Sequence, residues 1–504
     1  MKYLVNSKEM CQYDKNTSEV LKVPSLILME QAALGACEEL EKILNKTEPI
    51  LIVCGVCSNG GDGLAIARIL FLRGYSVDVV LVGDEYKITE PNKKQQEILA
   101  SYGVPVLRKM PKSGSYQMII DGLFGVGLVG EITGEYKAII EKLNNMQGIK
   151  VALDIPAGVS ADNGHIMGIA FRADKTITFA FDKVGLHLWP GNEYTGEIVI
   201  KEIGITEQSF LGNRPMVAAC EDVDLRPINL RPSHSNKGTF GRLLVIAGTV
   251  NMAGAAILTG KGAYASGCGL VRILTPEENR VIMQTALPEA ILSTYSMNNL
   301  DVELIKEAIT WSDTVLIGPG LGTNEVAEGI LKLVLECSEV PVVLDADALN
   351  ILAMNMHLLT EHHQDIIVTP HMMEMSRLTG KSIEDLQVEF LEASRAFADT
   401  YNVTCVLKDE RSATSIPNSM TYLNLSGNAG MATAGSGDVL AGIIGSLMAQ
   451  GYHSADAAPL AVYLHGVAGD CMVKETGKAG LMAADLVEGV RRVLGRKERG
   501  GDIL

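Results

Sequence analysis

From about residue 25 onward, short uninterrupted apolar runs alternate with helical patterns, and few folds accept that rhythm. The run "PILIVCG" ends at a glycine turn, and "GLAIARILFLRG" has helical spacing and is closed by Gly74. "YSVDVVLVG" returns as a strand, followed by a polar helix through "PNKKQQEILASYG". "YQMIIDGLFGVG", a helix in "EYKAIIEKLNNM", and "IKVALDIPAG" continue the series. Strands without polar alternation are buried on both faces, and helices between them are the crossovers of a parallel sheet. The chain is therefore expected to be α/β.

Between Asn213 and Gly238 the rhythm lapses, and Pro215, Pro227 and Pro232 fall in that interval. Proline biases itself and its predecessor away from helix, so a linker is expected there. A second series follows: "GRLLVIAGT", "GLVRILTP", "DTVLIGPGLG", "VPVVLDADALN", "DIIVTPH" and "TCVLKDE". The expected organisation is a domain over 1–215, a linker over 216–237 and a second α/β domain over 238–504. A length of 504 residues exceeds what one core usually serves. The halves share a rhythm but no period, so no internal repeat is expected.

The charge balance excludes some classes of partner. A net charge of −17 argues against nucleic acid and anionic membranes, which need clustered Lys and Arg. A small anionic substrate remains compatible, because backbone dipoles can make a site locally positive. No apolar run approaches the ~20 residues of a membrane span, and the start has no secretory apolar segment. Nine cysteines with irregular spacing suggest reduced thiols and a cytoplasmic setting. Cys54 and Cys57 fit CxxC but have no second pair, so they read as small residues in a glycine turn.

Ligands of parallel sheets lie at the carboxyl ends of the strands. The polar tails there are Asn59 to Gly63, Asp121, Asp154, Gly318 to Gly322, Asp345, His371, Lys408 and Asp438. Two glycine turns stand out, "GVCSNGGDGLA" (55–65) and "MATAGSGDVLAG" (431–442). Each leaves backbone amides open as if for phosphate, yet each carries an aspartate, Asp62 or Asp438. The first lacks the Lys and Ser/Thr of a P-loop and does not fit GxGxxG.

The first turn, with "MEQAALGA", "DGLFGVGLVGEI" (121–132) and "LDIPAG" (153–158), resembles the YjeF N-terminal family of NAD(P)H-hydrate epimerases. The resemblance spans roughly residues 10 to 215 and implies a Rossmann-like three-layer αβα domain. It also implies a substrate, NADH or NADPH hydrated across the 5,6 bond of the nicotinamide ring (NADHX or NADPHX). The hydrated carbon bears both the ring nitrogen and a hydroxyl, so loss of hydroxide gives an iminium that regains water on the other face. The resemblance assigns proton transfer to Asp154, general acid–base work of ~10²–10⁴-fold. It assigns substrate contacts to Asn59, Gly60, Gly61, Asp62 and Gly63, to Gly125, Val126, Gly127, Leu128, Val129, Gly130 and Glu131, and to Tyr136. It assigns a potassium ion to Asn59 and Asp121. The plainer readings are that the glycines permit a tight turn, Asp121 and Asp154 cap helices, and Tyr136 is an exposed tyrosine.

The second half, in "SNKGTFGRLLVIAGTVNMAGAAILTGKGAYASGCGLVRI" (235–273), "GPGLG", "LDADALN", "TPHMMEMSRL" and "GNAGMATAGSGDVLAG", resembles the YjeF C-terminal family. Those are ADP- or ATP-dependent NAD(P)H-hydrate dehydratases with a ribokinase-like α/β fold. The likeness covers roughly residues 225 to 500. It implies that a phosphoryl group moves to the ring hydroxyl and leaves as phosphate, a better leaving group than hydroxide, with Mg2+ accompanying ADP or ATP. Asp438 would be the base, and the amides of Gly435, Ser436 and Gly437 the anion hole. Ala253, Gly320, Gly322, His371 and Asp438 would meet the hydrate; Lys408, Asp409, Glu410, Arg411, Ser412 and Gly437 the nucleotide. Asp409 and Glu410 depart from the small residues the family favours there. His371 reads equally as a helix cap, Lys408 as a surface lysine, Asp345 and Asp347 as caps, and His362 and His363 as solvated.

Together the resemblances imply a bifunctional, homo-oligomeric repair enzyme whose partners are small molecules. The alternative is a ribokinase-type kinase fused to a nucleotide-binding module, which would release a phosphorylated product instead of phosphate.

Overall fold

The computed structural model describes residues 1–111, 115–226, 228, 231–298, 300–360 and 362–499. Its contacts divide the chain into residues 3–217 and a second unit made of residues 1–2 with 218–504.

In the first unit the segment Ile-Leu-Ile-Val-Cys is buried at every position, as a strand covered on both faces must be. This is β1 (Ile50–Cys54), and β2 (Val77–Leu81), β3 (Val106–Leu107), β4 (Met118–Gly122), β5 (Ile149–Leu153), β6 (Lys175–Phe179) and β7 (Glu197–Lys201) follow. All are parallel, in the order β3-β2-β1-β4-β5-β6-β7. From β1 the chain steps outward to β2 and β3, then returns to place β4 on the other side of β1. That reversal opens a crevice at the carboxyl ends of β1 and β4, where the first glycine turn and the 123–131 loop begin. The helix expected in "GLAIARILFLRG" runs Ser58–Leu72, and Gly74 ends it in the left-handed region at φ +84°.

The second unit repeats the logic with β8 (Arg242–Ile246), β9 (Leu270–Pro276), β10 (Ile291–Tyr295), β11 (Thr314–Ile317), β12 (Val342–Leu344), β13 (Ile366–Val368) and β14 (Thr404–Leu407). A short meander, β15 (Ala413–Ser415) and β16 (Thr421–Leu423), completes it. The order is β10-β9-β8-β11-β12-β13-β14-β15-β16, parallel up to β14 and antiparallel after it. Helices Ala253–Ala265 and Ser436–Ala449 cross so closely that only glycine fits the contact. A Cβ on Gly442 would lie 2.1 Å from the Thr259 carbonyl oxygen, and one on Gly262 2.6 Å from that of Val439. This crossing fixes where the second glycine turn presents its amides.

Part of the expected linker is built into the second unit. Leu225 is fully buried in its core, and the Tyr463 hydroxyl donates to Asp222 Oδ1 at 2.7 Å. Apolar Leu225 and Ile228 give this proline-rich stretch something to bury, which the lost periodicity concealed. Pro227 lies outside the described residues. Among the described residues no helix is long and apolar enough to cross a membrane.

Candidate active sites

The turn "SNGGD" is the start of a helix in its own right. Cys57 precedes it with extended backbone, and the amides of Gly60 and Asn59 turn toward the Cys57 thiol, which burial nonetheless pushes up. The glycines serve close packing: a Cβ would meet the Gly55 carbonyl at 1.9 Å from Gly60, Met29 Cε at 2.6 Å from Gly61, and Cys54 Sγ at 2.7 Å from Gly63. Beside them opens a cavity of about 600 Å³, faced by Asn59 and Asp62 but not by these three glycines. The opposite wall is the loop from Gly125 through Val129; Gly130 and Glu131 lie outside the lining. Tyr136 packs behind that wall, half-buried, its ring 4.6 Å from Phe124 and its hydroxyl 3.3 Å from the Val82 carbonyl.

Asp154, after β5, also faces the cavity and caps no helix. Its backbone is left-handed at φ +65°, a conformation that costs a non-glycine residue energy and recurs at functional positions. Its Oδ1 accepts from Lys183 Nζ at 2.5 Å. Lys183 is completely buried and spends its other donors on Thr178 Oγ1 and the Phe179 carbonyl, both at 2.8 Å. An ammonium so placed is tolerable only because it is fully hydrogen-bonded and paired. The pairing occupies Oδ1 and leaves Oδ2 against Gly125, where a Cβ would approach it to 3.3 Å.

Behind this wall Asp121 is buried and accepts from the amides of Leu123 at 3.0 Å and Ala157 at 2.8 Å. Burial pushes its carboxyl up to about 7 despite both bonds. Asn59 donates to the carbonyls of Phe124 and Leu153, at 2.7 and 3.0 Å. That leaves Asn59 Oδ1 buried with no hydrogen-bond partner among the described residues.

The second cavity, about 1120 Å³, is lined by His371, by Lys408 through Ser412, and by Ser436 and Gly437. Gly435, at φ +88°, turns the chain into helix Ser436–Ala449 with no side-chain cap; the Ser436 amide donates to the Thr433 carbonyl at 3.3 Å, and the amides that follow it are left for a ligand. Lys408 Nζ sits 3.6 Å from where a Gly437 Cβ would be, placing a cation beside those amides. It bonds Asp345 Oδ1 at 2.8 Å, and Asp345 also accepts from Thr369 Oγ1 at 2.6 Å. Among the described residues Asp438 has no direct cationic partner. Burial and the Asp345 charge push its carboxyl up to about 7, against the pull of Lys408.

Asp347 and Asp345 are not caps; Asp347 Oδ2 accepts from the Gly322 amide at 2.8 Å. Gly320, which with a Cβ would stand 2.9 Å from Ala255 Cβ, lies against the helix that Ala253 begins. Ala253, Gly320, Gly322, Gly435 and Asp438 do not line the cavity of Lys408. His371 does cap its helix, its Nδ1 accepting from the amides of Met373 and Glu374 at 3.1 and 3.2 Å, and it faces the cavity as well. His362, expected in water, is instead held, both ring nitrogens 3.0 Å from the carbonyls of Gln364 and Tyr401. His363 is exposed.

Three residues escaped the sequence reading. Lys183 sits in "FDKVGL", where a fully buried lysine leaves no pattern. His465, buried in an apolar helix, reaches Ser436 Oγ at 3.4 Å, and burial pushes it down to about 4. Asp470 fastens the loop at Gly427 and Asn428 with bonds of 2.7 and 2.9 Å.

Comparison with known proteins divides the chain in the same way. Residues 25–185 match the model of the YjeF-related protein N-terminus, and residues 243–492 that of NAD(P)H-hydrate dehydratase. A bifunctional NAD(P)H-hydrate repair enzyme of Moorella thermoacetica is 36% identical, over 98% of this chain and 96% of that one. One from Escherichia coli is 31% identical, over 95% of this chain and 92% of that one. Among solved structures, a ribokinase-like superfamily protein of Enterococcus faecalis aligns with a TM-score of 0.50 and 29% identity, covering 56% of this chain and 96% of that one.

Proposed function

The chain belongs to the family of bifunctional NAD(P)H-hydrate repair enzymes, and on that premise we propose that Asp154 and Asp438 are the proton-transfer groups of its two reactions. It is an epimerase and a dehydratase of hydrated NAD(P)H. The kinase-fusion alternative is set aside, because repair enzymes match along nearly the whole chain.

In the first unit Asp154 presents Oδ2 to the ring carbon at which water is lost and regained, while Lys183 fixes Oδ1. Asn59, Asp62 and the loop Gly125–Val129 enclose the nicotinamide end, with Gly130, Glu131 and Tyr136 as outer or supporting positions. The close-packed Gly60, Gly61 and Gly63 act by letting the helix approach the sheet. A potassium ion fits Asn59 and Asp121, since hard cations take oxygen ligands and Asn59 Oδ1 is a buried oxygen with no partner. Bound there, the ion would supply fixed positive charge behind the loops that enclose the nicotinamide end.

In the second unit Asp438 takes the proton of the ring hydroxyl as that oxygen attacks the terminal phosphorus of ADP or ATP. The open amides after Gly435 and the Lys408 ammonium stabilise charge on the transferring group. Asp409 to Ser412 form the nucleotide wall. His371, Ala253, Gly320 and Gly322 lie toward the hydrate, which the dehydratase accepts as its S epimer. Mg2+ would accompany the nucleotide, since this ion is characteristically held by substrate phosphates.

The observation that carries this reading is the Asp438 carboxyl, desolvated and unpaired at a helix start beside Lys408. The test is to incubate mixed hydrate epimers with ADP or ATP. Reduced-nicotinamide absorbance should return with equimolar free phosphate. A stable phosphorylated product without that absorbance would refute it.

A further inference from the structure

The epimerase cavity holds a second carboxyl whose situation is the opposite of Asp154's. Asp62 lies on the first turns of helix Ser58–Leu72 and faces the same cavity. Among the described residues its carboxyl has neither a hydrogen bond nor an ion pair. Asp154, by contrast, is tied at Oδ1 to the buried Lys183 ammonium. The reaction itself calls for two protons to move at one carbon: one onto the departing hydroxyl, one off the water that arrives on the other face.

We propose that Asp62 is the second catalytic residue of epimerisation, giving a proton to the departing hydroxyl while Asp154 takes one from the arriving water. The inference rests on the epimerase reading of Asp154. The groups facing Asp62 are Asp154 and Asp14 across the cavity and the thiols of Cys54 and Cys57 at its back. No cation is among them. Burial first, then the Asp154 and Asp14 charges, pushes the Asp62 carboxyl well above the ordinary range and so favours its protonated form. A carboxyl raised by its surroundings, facing one cavity with a carboxyl bonded to an ammonium, is an arrangement suited to acid–base work.

The step balances. Asp62 gives its proton to the ring hydroxyl, the carbon–oxygen bond breaks, and the ring-nitrogen lone pair closes the C=N bond of the iminium. Water leaves. Another water adds on the opposite face and gives its proton to Asp154, and the nitrogen recovers its lone pair. Asp62 is then ionised and Asp154 protonated. The adjacent Lys183 ammonium disfavours that state and sends the proton back through water to Asp62. Run from that state, the same sequence converts the other epimer.

The test uses the full chain, separated NADH hydrate epimers and no nucleotide, so that the dehydratase is silent. Asp62→Asn keeps a polar group of the same shape without an acidic proton. Its kcat for epimerisation should fall about a hundredfold, with KM within about threefold of the wild type. Asp62→Glu, which restores a carboxyl at the cost of an added methylene, should recover about tenfold over Asp62→Asn. A role in packing alone predicts the reverse order. A wild-type kcat in Asp62→Asn, a loss confined to KM, or a Glu variant no better than the Asn variant overturns the proposal. Asp154→Asn, run in parallel, separates the two readings. If it alone loses the rate, only the Asp62 proposal fails; if both variants keep the rate, the Asp154 reading fails as well.

Discussion

Each half of this chain sets an aspartate and a lysine at the carboxyl edge of a parallel sheet, and the two pairs are wired differently. In the first unit the lysine bonds the working aspartate directly, Lys183 to Asp154 at 2.5 Å. In the second it bonds a third residue, Lys408 to Asp345 at 2.8 Å, and Asp438 is left with burial and a like charge. The first arrangement stabilises a carboxylate and orients its free oxygen. The second holds a carboxyl near neutrality, strong enough to take a hydroxyl proton as phosphoryl transfer begins, and keeps the lysine for phosphate. Where the cation sits decides what the aspartate can do.

The hardest test of the contrast is Asp438→Asn. Removing the base should lower dehydration by ~10²–10⁴-fold, while epimer interconversion stays within twofold, read by chromatography of the epimers. The same variant carries a stability signature. A carboxyl raised in the folded state contributes stability below its ordinary value and loses it as pH rises through about 7. Asp438→Asn should therefore unfold later than wild type above pH 7, with an advantage that shrinks as pH falls to 5 and vanishes below the ordinary carboxylate value, by thermal melts of the full chain.

Next in size is Lys183→Met. It strands Asp154 in a partly buried site without its cation, a loss of the kind that costs ~3–5 kcal/mol. The transition of the first unit should fall, and the double variant Lys183→Met with Asp154→Asn should recover much of it. An additive double variant would mean that Lys183 acts by packing and not by charge.

These two variants also mark where the sequence was legible. Asp438 was found because G-x-G-D before an apolar helix is a local pattern, read in four consecutive residues. Asp154 was found the same way, from "DIP". Lys183 was not, because its partner lies 29 residues away and the strand exchange that joins them exists only in the folded sheet. His465 escapes for the same reason, since the Ser436 hydroxyl it reaches also lies 29 residues away. The parallel sheets themselves were plain, since unbroken apolar strands have no other stable home. The glycines of "NGGDG" were seen, but composition alone does not distinguish an open amide from a close approach. A Cβ on Gly60 would reach 1.9 Å from a carbonyl oxygen, and that geometry settles it for packing.

A smaller change should sharpen the wiring argument without removing any working group. Asp345→Asn takes away the charge that raises Asp438 and releases Lys408 toward it. Both effects lower the Asp438 carboxyl. Dehydration depends on its ionised form, so the wild-type rate should climb through about pH 7, and the variant's acid limb should move to lower pH. An unmoved limb would show that Asp345 does not set the base.

The smallest expected effect lies behind the first site, at Ala157. Ala157 lies against Asp121, one of the two proposed potassium ligands, and a methyl group offers a cation nothing. Ala157 is fully buried; its amide donates to Asp121 Oδ2 at 2.8 Å, and its carbonyl already accepts from the Phe171 amide at 2.8 Å. The carbonyl therefore has one lone pair engaged, and the ion would lean on Asn59 Oδ1 and Asp121. Ala157→Ser adds one hard oxygen beside them. A single polar contact is worth about 1 kcal/mol, or roughly fivefold in affinity. Epimerisation by the serine variant should thus saturate at roughly fivefold less potassium, and its melting temperature should rise more on exchanging sodium for potassium. The added hydroxyl can also simply donate to Asp121, which would raise stability equally in either salt. Equal gains in both salts, with superimposable potassium titrations, would leave position 157 contributing its backbone alone.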